Sequence, residues 1–246
     1  MRLVAHLSDL HFGRIERTAL EPLRWRVAEL APHLVVVSGD LTQRARAWQF
    51  REARAFLDTL PKPQLVVPGN HDVPLWNVLA RFLRPLAGYR RFVSDELFPS
   101  YVDDEIAVLG VNTARSLTWK EGRVNEAQLA RVDERLCRLQ GLTKVLVTHH
   151  PFMAPGRLAH CGADLLLAGH LHASRAGHAE HGMLVVQAGT ATSSRTREEA
   201  NAFNVLRIEP GRIVVEQQVL RAGEFVRSAG QAFCRGERGW RPSGKI

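Results

Sequence analysis

The sequence predicts an α/β fold with a mainly parallel sheet, and two features of its apolar patterning indicate this. Short apolar runs typical of buried strands alternate with amphipathic stretches long enough for helices. A crossover helix is the usual connection between parallel strands, so the alternation indicates βαβ units. The chain has 246 residues, of which 45% are hydrophobic, and it is therefore long enough to bury a sizeable core.

Six apolar runs are expected to form the parallel strands, with helices between several of them. The strands are predicted at residues 2–7, 33–38, 64–68, 105–111, 143–148 and 163–168. Val and Leu dominate these segments, as expected for strands buried on both faces. Helices are predicted at residues 18–31, 45–60 and 125–140, which are rich in Ala, Leu, Glu and Arg.

The last third of the chain has a different pattern. Antiparallel strands joined by short turns are predicted at residues 183–190, 202–209 and 212–220. We expect residues 1–220 to form one domain. Residues 221–246 form a basic tail, rich in Gly and Arg, that is expected to be loosely ordered or laid on the surface.

An insertion at residues 74–98 has two interpretations. Its apolar residues recur at helical spacing, with arginines among them: Leu75, Leu79, Phe82, Leu83 and Leu86. The first interpretation is a helix that packs onto the core. The second is a basic, apolar lid beside an active site, in contact with a substrate tail or a membrane surface.

The net charge, and the lack of an apolar stretch typical of a membrane-spanning helix or a secretory signal, limit the class of protein. The formal net charge is +8, which favours anionic partners such as phosphate esters, nucleic acid or acidic lipid headgroups. No stretch reaches the roughly 20 apolar residues of a membrane-spanning helix, and the first residues predict a strand, not a secretory signal. Three scattered cysteines are typical of reduced thiols. We therefore expect a cytoplasmic protein.

Polar residues that can bind metals follow five of the predicted strands. They are Asp9 with His11, Asp40, Asn70 with His71 and Asp72, His149, and His170 with His172. In open α/β sheets the carboxyl ends of the strands form the ligand site, so these side chains are expected to converge. His150 follows His149 directly and is expected to be a structural hydrogen-bonding residue.

The residue types indicate a transition-metal site with more than one ion. Carboxylate, imidazole and amide donors without a thiolate suit Mn, Fe or Zn. Seven candidate ligands exceed the needs of one catalytic metal but suffice for two, and Asp40 is the candidate bridge between them. Taken alone, Asp40 could instead cap a helix and Asp9 could end a turn.

The order of these blocks resembles the calcineurin-like metallophosphoesterases. The blocks are Asp-x-His, Gly-Asp, Gly-Asn-His-Asp, His and Gly-His-x-His, and they run from residue 9 to residue 172. The segments "HLSDLHFG", "VVSGDLTQ" and "VPGNHD" are most similar to the bacterial class III cyclic-nucleotide phosphodiesterases. The resemblance implies a four-layer α/β/β/α sandwich with mixed sheets and a binuclear metal centre at the strand ends.

The resemblance also implies a role for each residue of the site. One metal is held by Asp9, His11, Asp40 and His172, and the other by Asp40, Asn70, His149 and His170. Asn70 and His71 bind the substrate. His71 contacts its phosphate and protonates the leaving oxygen, while Asp72 orients the His71 ring. A hydroxide that bridges the metals attacks the phosphorus in line.

The activity implied is hydrolysis of a small phosphate diester, with a cyclic nucleotide as one candidate substrate. One alternative is a larger anionic substrate, either a lipid-linked nucleotide diphosphate held by the insertion or a nucleic acid bound by the tail. Another alternative is an interaction module that has the fold and no catalysis. Nucleic acid and membrane surfaces are the less favoured partners. Six arginines could bind substrate anions: Arg44, Arg46, Arg115, Arg175, Arg195 and Arg197.

Overall fold

The computed structural model of the chain describes residues 1–75, 77–114, 122–151, 160, 162–178, 182–194 and 200–246. The strands are β1 Arg2–Leu7, β2 Leu34–Val37, β3 Gln64–Val66, β4 Ser100–Val102, β5 Ile106–Gly110, β6 Thr143–Val147, β7 Leu165–Ala168, β8 Arg175–His178, β9 Leu184–Gln187, β10 Ala202–Glu209, β11 Arg212–Arg221, β12 Glu224–Gly236 and β13 Gly239–Lys245. The helices are α1 Leu20–Leu30, α2 Ala47–Thr59, α3 Val78–Leu83, α4 Ala87–Phe92 and α5 Glu126–Cys137. Every strand and helix predicted outside the insertion is present.

The strands form two mixed sheets. The first sheet has the order β13-β12-β11-β10-β1-β2-β3, and the second has the order β4-β5-β6-β7-β9-β8. Strands β1, β2 and β3 run parallel to one another, as do β5, β6, β7 and β9. Strand β9, in the segment 183–190 predicted to be antiparallel, pairs antiparallel with β8 and parallel with β7, so the prediction is confirmed at only one of its two edges. Strand β8 has no apolar run, and its reversal of direction before β9 is invisible in the sequence.

Three buried clusters separate four layers of structure. The cluster between the sheets contains side chains of both, such as Val36 and Val147. Helices α1, α2 and α4 pack on the outer face of the first sheet, and α5 packs on the outer face of the second. In β2, Leu34 and Val36 face the other sheet while Val35 and Val37 face the helices, so the strand is apolar at every position. The expected four-layer α/β/β/α sandwich is confirmed.

The C-terminal tail is ordered, which corrects the expectation for residues 221–246. Strand β12 extends the first sheet with a bulge opposite Gln217 and Gln218, and β13 forms the outer edge. Phe233 and Trp240 are buried between the two sheets. Gly and Arg occupy seven of the other 18 positions of these strands, and they obscure the period-two pattern of a strand in the sequence.

The insertion contains two short helices that behave differently. In α4, Tyr89 is fully buried and its hydroxyl donates to the Val66 carbonyl at 2.9 Å, so this helix packs on the core as the first interpretation predicts. In α3, no residue is buried. None of the helices in the described ranges is long and apolar enough to cross a membrane.

The turn between β4 and β5 depends on one carboxylate. Asp103 accepts hydrogen bonds from the backbone N–H groups of Glu105 and Ile106, the guanidinium of Arg2 and the Tyr101 hydroxyl. Burial opposes ionisation, but these donors outweigh it and lower the pKa of Asp103 to about 2. A carboxyl group with a lowered folded-state pKa stabilises the fold above its unfolded pKa, and this contribution disappears as the pH falls towards 2.

We expect Asp103→Asn to lower the free energy of unfolding at pH 7 by about 1–2 kcal/mol, because charge-assisted bonds to the turn are lost. Urea denaturation at pH 7 and at pH 3 measures the effect, and the difference from the native chain should be smaller at pH 3. Asp104→Asn is the control, since the side chain of Asp104 is 82% exposed and its ion pair with Arg2 contributes little. Equal losses in the two variants would contradict this account of the turn.

Candidate metal centre

The candidate ligands converge at one edge of both sheets, as expected from their positions after the strands. The parallel strands β1, β2 and β3 deliver Asp9, His11, Asp40 and Asn70, and β6 and β7 deliver His149, His170 and His172. Backbone bonds hold neighbouring strand ends in register, such as His11 N–H to the Asp40 carbonyl at 2.9 Å. The His170 N–H donates to Asp9 Oδ2 at 3.0 Å and so joins the two sheets at the site.

The backbone at the site is strained. Eight non-glycine residues in the described ranges have positive φ angles between 44° and 71°. Five of these residues are candidate ligands: Asp9, His11, Asp40, His170 and His172. Non-glycine residues adopt this conformation at a cost, and such residues concentrate where the surrounding structure maintains a functional geometry.

Three side chains form the first ligand cluster. Asp9 Oδ1 lies 3.2 Å from His172 Nε2 and 3.5 Å from His11 Nε2. The two imidazole nitrogens lie 3.3 Å apart. Asp9 and His11 are fully buried, and Ser8 Oγ donates to the other Asp9 oxygen at 2.6 Å, which leaves Oδ1 directed at the two rings.

The second ligand cluster centres on the Asn70 amide oxygen. It lies 3.0 Å from His149 Nε2 and 3.1 Å from His170 Nδ1. The other nitrogen of His149 donates to the Ser38 carbonyl at 2.8 Å, so this bond orients the ring and directs Nε2 into the site. Ser38 directly follows β2, and no role in the site was predicted for it from the sequence.

Asp40 connects the two clusters. Its Oδ2 atom lies 3.3 Å from His149 Nε2 and 3.7 Å from His11 Nε2. Its Oδ1 atom accepts a hydrogen bond from the His71 backbone N–H at 2.8 Å. The carboxylate is 1% exposed, and its position between the clusters is the one that a bridging ligand requires.

The residues fit two metal ions. Donor atoms about 2.1 Å from one tetrahedral ion lie about 3.4 Å from each other. The separations within each cluster range from 3.0 to 3.5 Å, close to the spacing expected for donors around one ion. Sets of three ligand atoms within 4.8 Å include Asp9–His11–His172 and Asp9–Asp40–His149.

Two glycines allow the backbone of the candidate ligands to approach the neighbouring carboxylates closely. A Cβ atom at Gly69 would overlap the Asp40 carboxylate, and one at Gly169 would overlap Ser8 and come within 2.6 Å of Asp9 Oδ2. Each glycine directly precedes a candidate ligand. The backbone that carries Asn70 lies against the Asp40 carboxylate of the adjacent strand, and the backbone that carries His170 lies against the Asp9 carboxylate of the other sheet. Steric overlap therefore explains why a glycine precedes Asn70 and why a glycine precedes His170.

The carboxylates and imidazoles of the two clusters shift one another's pKa values. Burial would raise the pKa of Asp40, but His149 and His11 hold it well below its usual value. Burial would lower the pKa of His149, but Asp40 and Asp9 outweigh burial and raise it to about 9. Burial and repulsion from His149 lower the pKa of His170 to about 4. A cation held by His149 would have to displace the proton of this imidazole, so metal binding would release protons.

The His71 ring is held by Gln43, and the described bonds of Asp72 lie in the loop after β2, so the orienting role expected for Asp72 stays a prediction. The His71 Nδ1–H donates to the Gln43 backbone carbonyl at 2.9 Å. Both Asp72 oxygens accept bonds elsewhere: from the N–H groups of Leu41, Thr42 and Gly69 and from the Thr42 hydroxyl. Asn70–Asp72 is a 3-10 turn, in which successive side chains point about 120° apart, so Asp72 faces the strand-end loop after β2.

His150 lies closer to the site than the sequence suggests. Its Nδ1 atom lies 2.8 Å from the Thr113 hydroxyl, which supports the expected structural role. However, its ligand atoms also lie within 4.8 Å of those of His149 and His170, and the residue is 3% exposed. Neither the Thr113 contact nor the proximity to His170 has a signal in the sequence.

The candidate anion-binding arginines separate into three groups. Arg44 and Arg46 line a groove beside α3, next to Gln43. Arg175 begins β8 and lines a different groove with Ser174 and Gln217. The remaining three, Arg115, Arg195 and Arg197, lie outside the described residues.

Comparison with known proteins identifies relatives that hydrolyse phosphodiesters. The glycerophosphodiester phosphodiesterase GpdQ of Enterobacter lignolyticus is 30% identical over 152 residues, which are 51% of this chain and 52% of that protein. A probable cyclic nucleotide phosphodiesterase of Synechococcus is 24% identical over 157 residues, 60% of this chain and 57% of that protein. The chain spans about half the length of the curated relatives that it matches.

Solved structures share the fold at low identity. A dimetal phosphatase from Danio rerio has a TM-score of 0.67 and 13% identity, with 92% of this chain and 98% of that chain covered. The purple acid phosphatase PPD1 of yellow lupin has a TM-score of 0.71 and 14% identity, with 96% of this chain and 54% of that chain covered. The calcineurin-like phosphoesterase family model matches residues 2–174, well over half of the sequence. With its fold and its family motifs in agreement, the chain belongs to the calcineurin-like phosphoesterases.

Proposed function

We propose that the chain is a binuclear metal-dependent phosphodiesterase that hydrolyses a small phosphate diester, with a cyclic nucleotide as one candidate. The observation that carries this proposal is the position of Asp40. One of its oxygens lies 3.3–3.7 Å from an imidazole of each cluster, and the other holds the backbone of His71. Two ligand sets that share one carboxylate beside a histidine are suited to phosphoryl transfer.

In this proposal each cluster holds one cation. Asp9, His11 and His172 hold the first, Asn70, His149 and His170 hold the second, and Asp40 is shared. When bound, the two cations offset the negative charge of the phosphate and lower the pKa of a water molecule towards neutrality. Mn, Fe and Zn are the proposed metals because the donors are carboxylate, imidazole and amide groups.

His71 is the proposed general acid, and Asn70 and His71 contact the substrate. Because the Gln43 carbonyl can only accept, His71 Nδ1 carries a proton and Nε2 is the nitrogen that exchanges one. Burial lowers the pKa of His71, which makes its imidazolium a stronger acid. Nε2–H then donates its proton to the leaving oxygen as the P–O bond breaks. We propose that Asp72 supports this turn by holding the loop after β2.

The assay that tests the proposal uses the full chain loaded with Mn, Fe or Zn. The substrates are bis-p-nitrophenyl phosphate, p-nitrophenyl phosphate, glycerophosphodiesters and cyclic nucleotides. We expect diester hydrolysis that a chelator abolishes and that added metal restores. A protein that contains two metals per chain and hydrolyses none of the diesters would instead support a non-catalytic module.

A further inference from the structure

Helix α3 exposes an unusual amount of apolar surface. Val78, Leu79, Phe82 and Leu83 are 63%, 71%, 52% and 71% exposed. Ten large hydrophobic residues are exposed in the described ranges, and these four lie within one helix of six residues. Contiguous exposed apolar residues of this kind mark a binding surface more often than isolated ones do.

The exposure does not result from a loosely attached segment. The side chain of Asn77 caps α3 by accepting from the Ala80 N–H at 2.9 Å. Directly after α3, Leu86 and Tyr89 enter the core cluster beneath α2. The insertion is therefore anchored at α4, while α3 projects its apolar side chains outward.

A groove of about 700 Å³ runs between α3 and the loop before α2. Its apolar wall contains Leu75, Leu79 and Leu83. Arg44, Arg46 and Arg84 also line it and supply positive charge. Val78 and Phe82 are comparably exposed but do not line the groove. An apolar wall beside three guanidinium groups complements a molecule with an apolar chain and an anionic head.

The groove adjoins the loops that hold the proposed general acid, since Pro74 in its lining lies three residues after His71. Arg44 directly follows Gln43, whose carbonyl accepts the His71 Nδ1–H. Arg44 is itself held in place, since its N–H donates to the Gln49 side chain at 2.9 Å. In the loop after β7 of the second sheet, Leu171 lies between His170 and His172 and is 42% exposed. A groove in this position suits one of the two substituents of a diester bound at His71.

We propose that the groove beside α3 binds the apolar chain of the substrate, so that the substrate class is a phosphodiester in which one alcohol substituent carries a long alkyl or acyl chain. This inference rests on the proposed phosphodiesterase function. The reaction is the same hydrolysis: a water molecule gives up a proton to the solvent as its oxygen forms a P–O bond, the P–O bond to the leaving oxygen breaks, and His71 protonates that oxygen to release the alcohol. A short polar diester would leave Leu79 and Leu83 without a partner.

The test compares methyl p-nitrophenyl phosphate with octyl p-nitrophenyl phosphate on the metal-loaded full chain, below the micelle concentration of the octyl ester. We expect the native enzyme to have a higher kcat/KM for the octyl ester by about tenfold or more, since burying several methylene groups supplies this difference. The double variant Leu79→Ser/Leu83→Ser should lose this preference and keep its rate on the methyl ester.

Val78→Ser/Phe82→Ser is the matched control, because it removes as many exposed apolar side chains from the same helix outside the groove. The control should keep the octyl preference. Equal rates on both esters in the native enzyme would overturn the proposal. Equal losses in both double variants would also overturn it and favour a second copy of the chain on α3, a result that light scattering would then show as a change in mass.

Calorimetric binding of octyl phosphate and methyl phosphate separates this proposal from the proposed function. If neither ester is hydrolysed, the phosphodiesterase proposal fails. The groove proposal still predicts tighter binding of octyl phosphate to the native chain and to Val78→Ser/Phe82→Ser than to Leu79→Ser/Leu83→Ser. The same affinity for octyl phosphate in all three proteins would contradict it.

Discussion

Asp40→Ala is expected to lose at least one of its two metals per chain and to reduce diester turnover by about a thousandfold or more, since both ligand clusters depend on this carboxylate. The Asp40 oxygens contact His149, His11 and the His71 backbone. Without them, the buried imidazoles lose the negative charge that holds them together. Elemental analysis of the purified variant measures the metals, and the bis-p-nitrophenyl phosphate assay measures turnover.

Two controls distinguish loss of the bridge from loss of the fold. Asp40→Asn keeps the shape of the side chain and can still accept from the His71 N–H, but it removes the charge, so it should also lose metal. Asp58→Ala removes a half-exposed carboxylate on α2 that pairs with Arg54 and should keep both metals. Two metals per chain in Asp40→Ala would contradict the bridging role.

His71→Ala is expected to keep both metals and to lose activity to an extent that depends on the leaving group of the ester. Diesters with poor alkyl leaving groups should slow by about 10²–10⁴-fold, the usual contribution of a general acid. Aryl esters should slow much less, because their leaving oxygen needs little protonation. Rates on bis-p-nitrophenyl phosphate and on a glycerophosphodiester, measured with the same protein, give the comparison.

The control for His71 is Gln43→Ala. The main bond to the His71 ring comes from the Gln43 backbone carbonyl, which this variant keeps. Only the side-chain amide, 3.3 Å from Nδ1, is removed, so the rates should change little. If His71→Ala slowed both classes of ester to the same extent, protonation of the leaving group would not be its function.

The strands that carry the site were predictable because they are buried on both faces. In β2, alternate residues face a helix layer and the opposite sheet, so Leu34, Val35, Val36 and Val37 are all apolar and the strand is conspicuous. The polar residue after each such run then marks the site edge. The order of those residues was sufficient to predict the family.

Other features depend on contacts that sequence patterns do not encode. Strands β12 and β13 bury only a few residues, such as Phe225 and Phe233, and their exposed Arg and Gly residues hide the alternation. The role of Asp72 depends on the 3-10 turn, which directs its carboxylate to Leu41 and Thr42. The positive φ angles of five candidate ligands also have no signal in the sequence.

The most direct test of the central claim is a crystal structure of the manganese-loaded chain with anomalous scattering data. We predict two manganese peaks about 3.5–4 Å apart, the separation usual in two-metal hydrolases. One oxygen of Asp40 should lie between them, with Asp9, His11 and His172 around one peak and Asn70, His149 and His170 around the other. A single peak, or two peaks that Asp40 does not connect, would contradict the account.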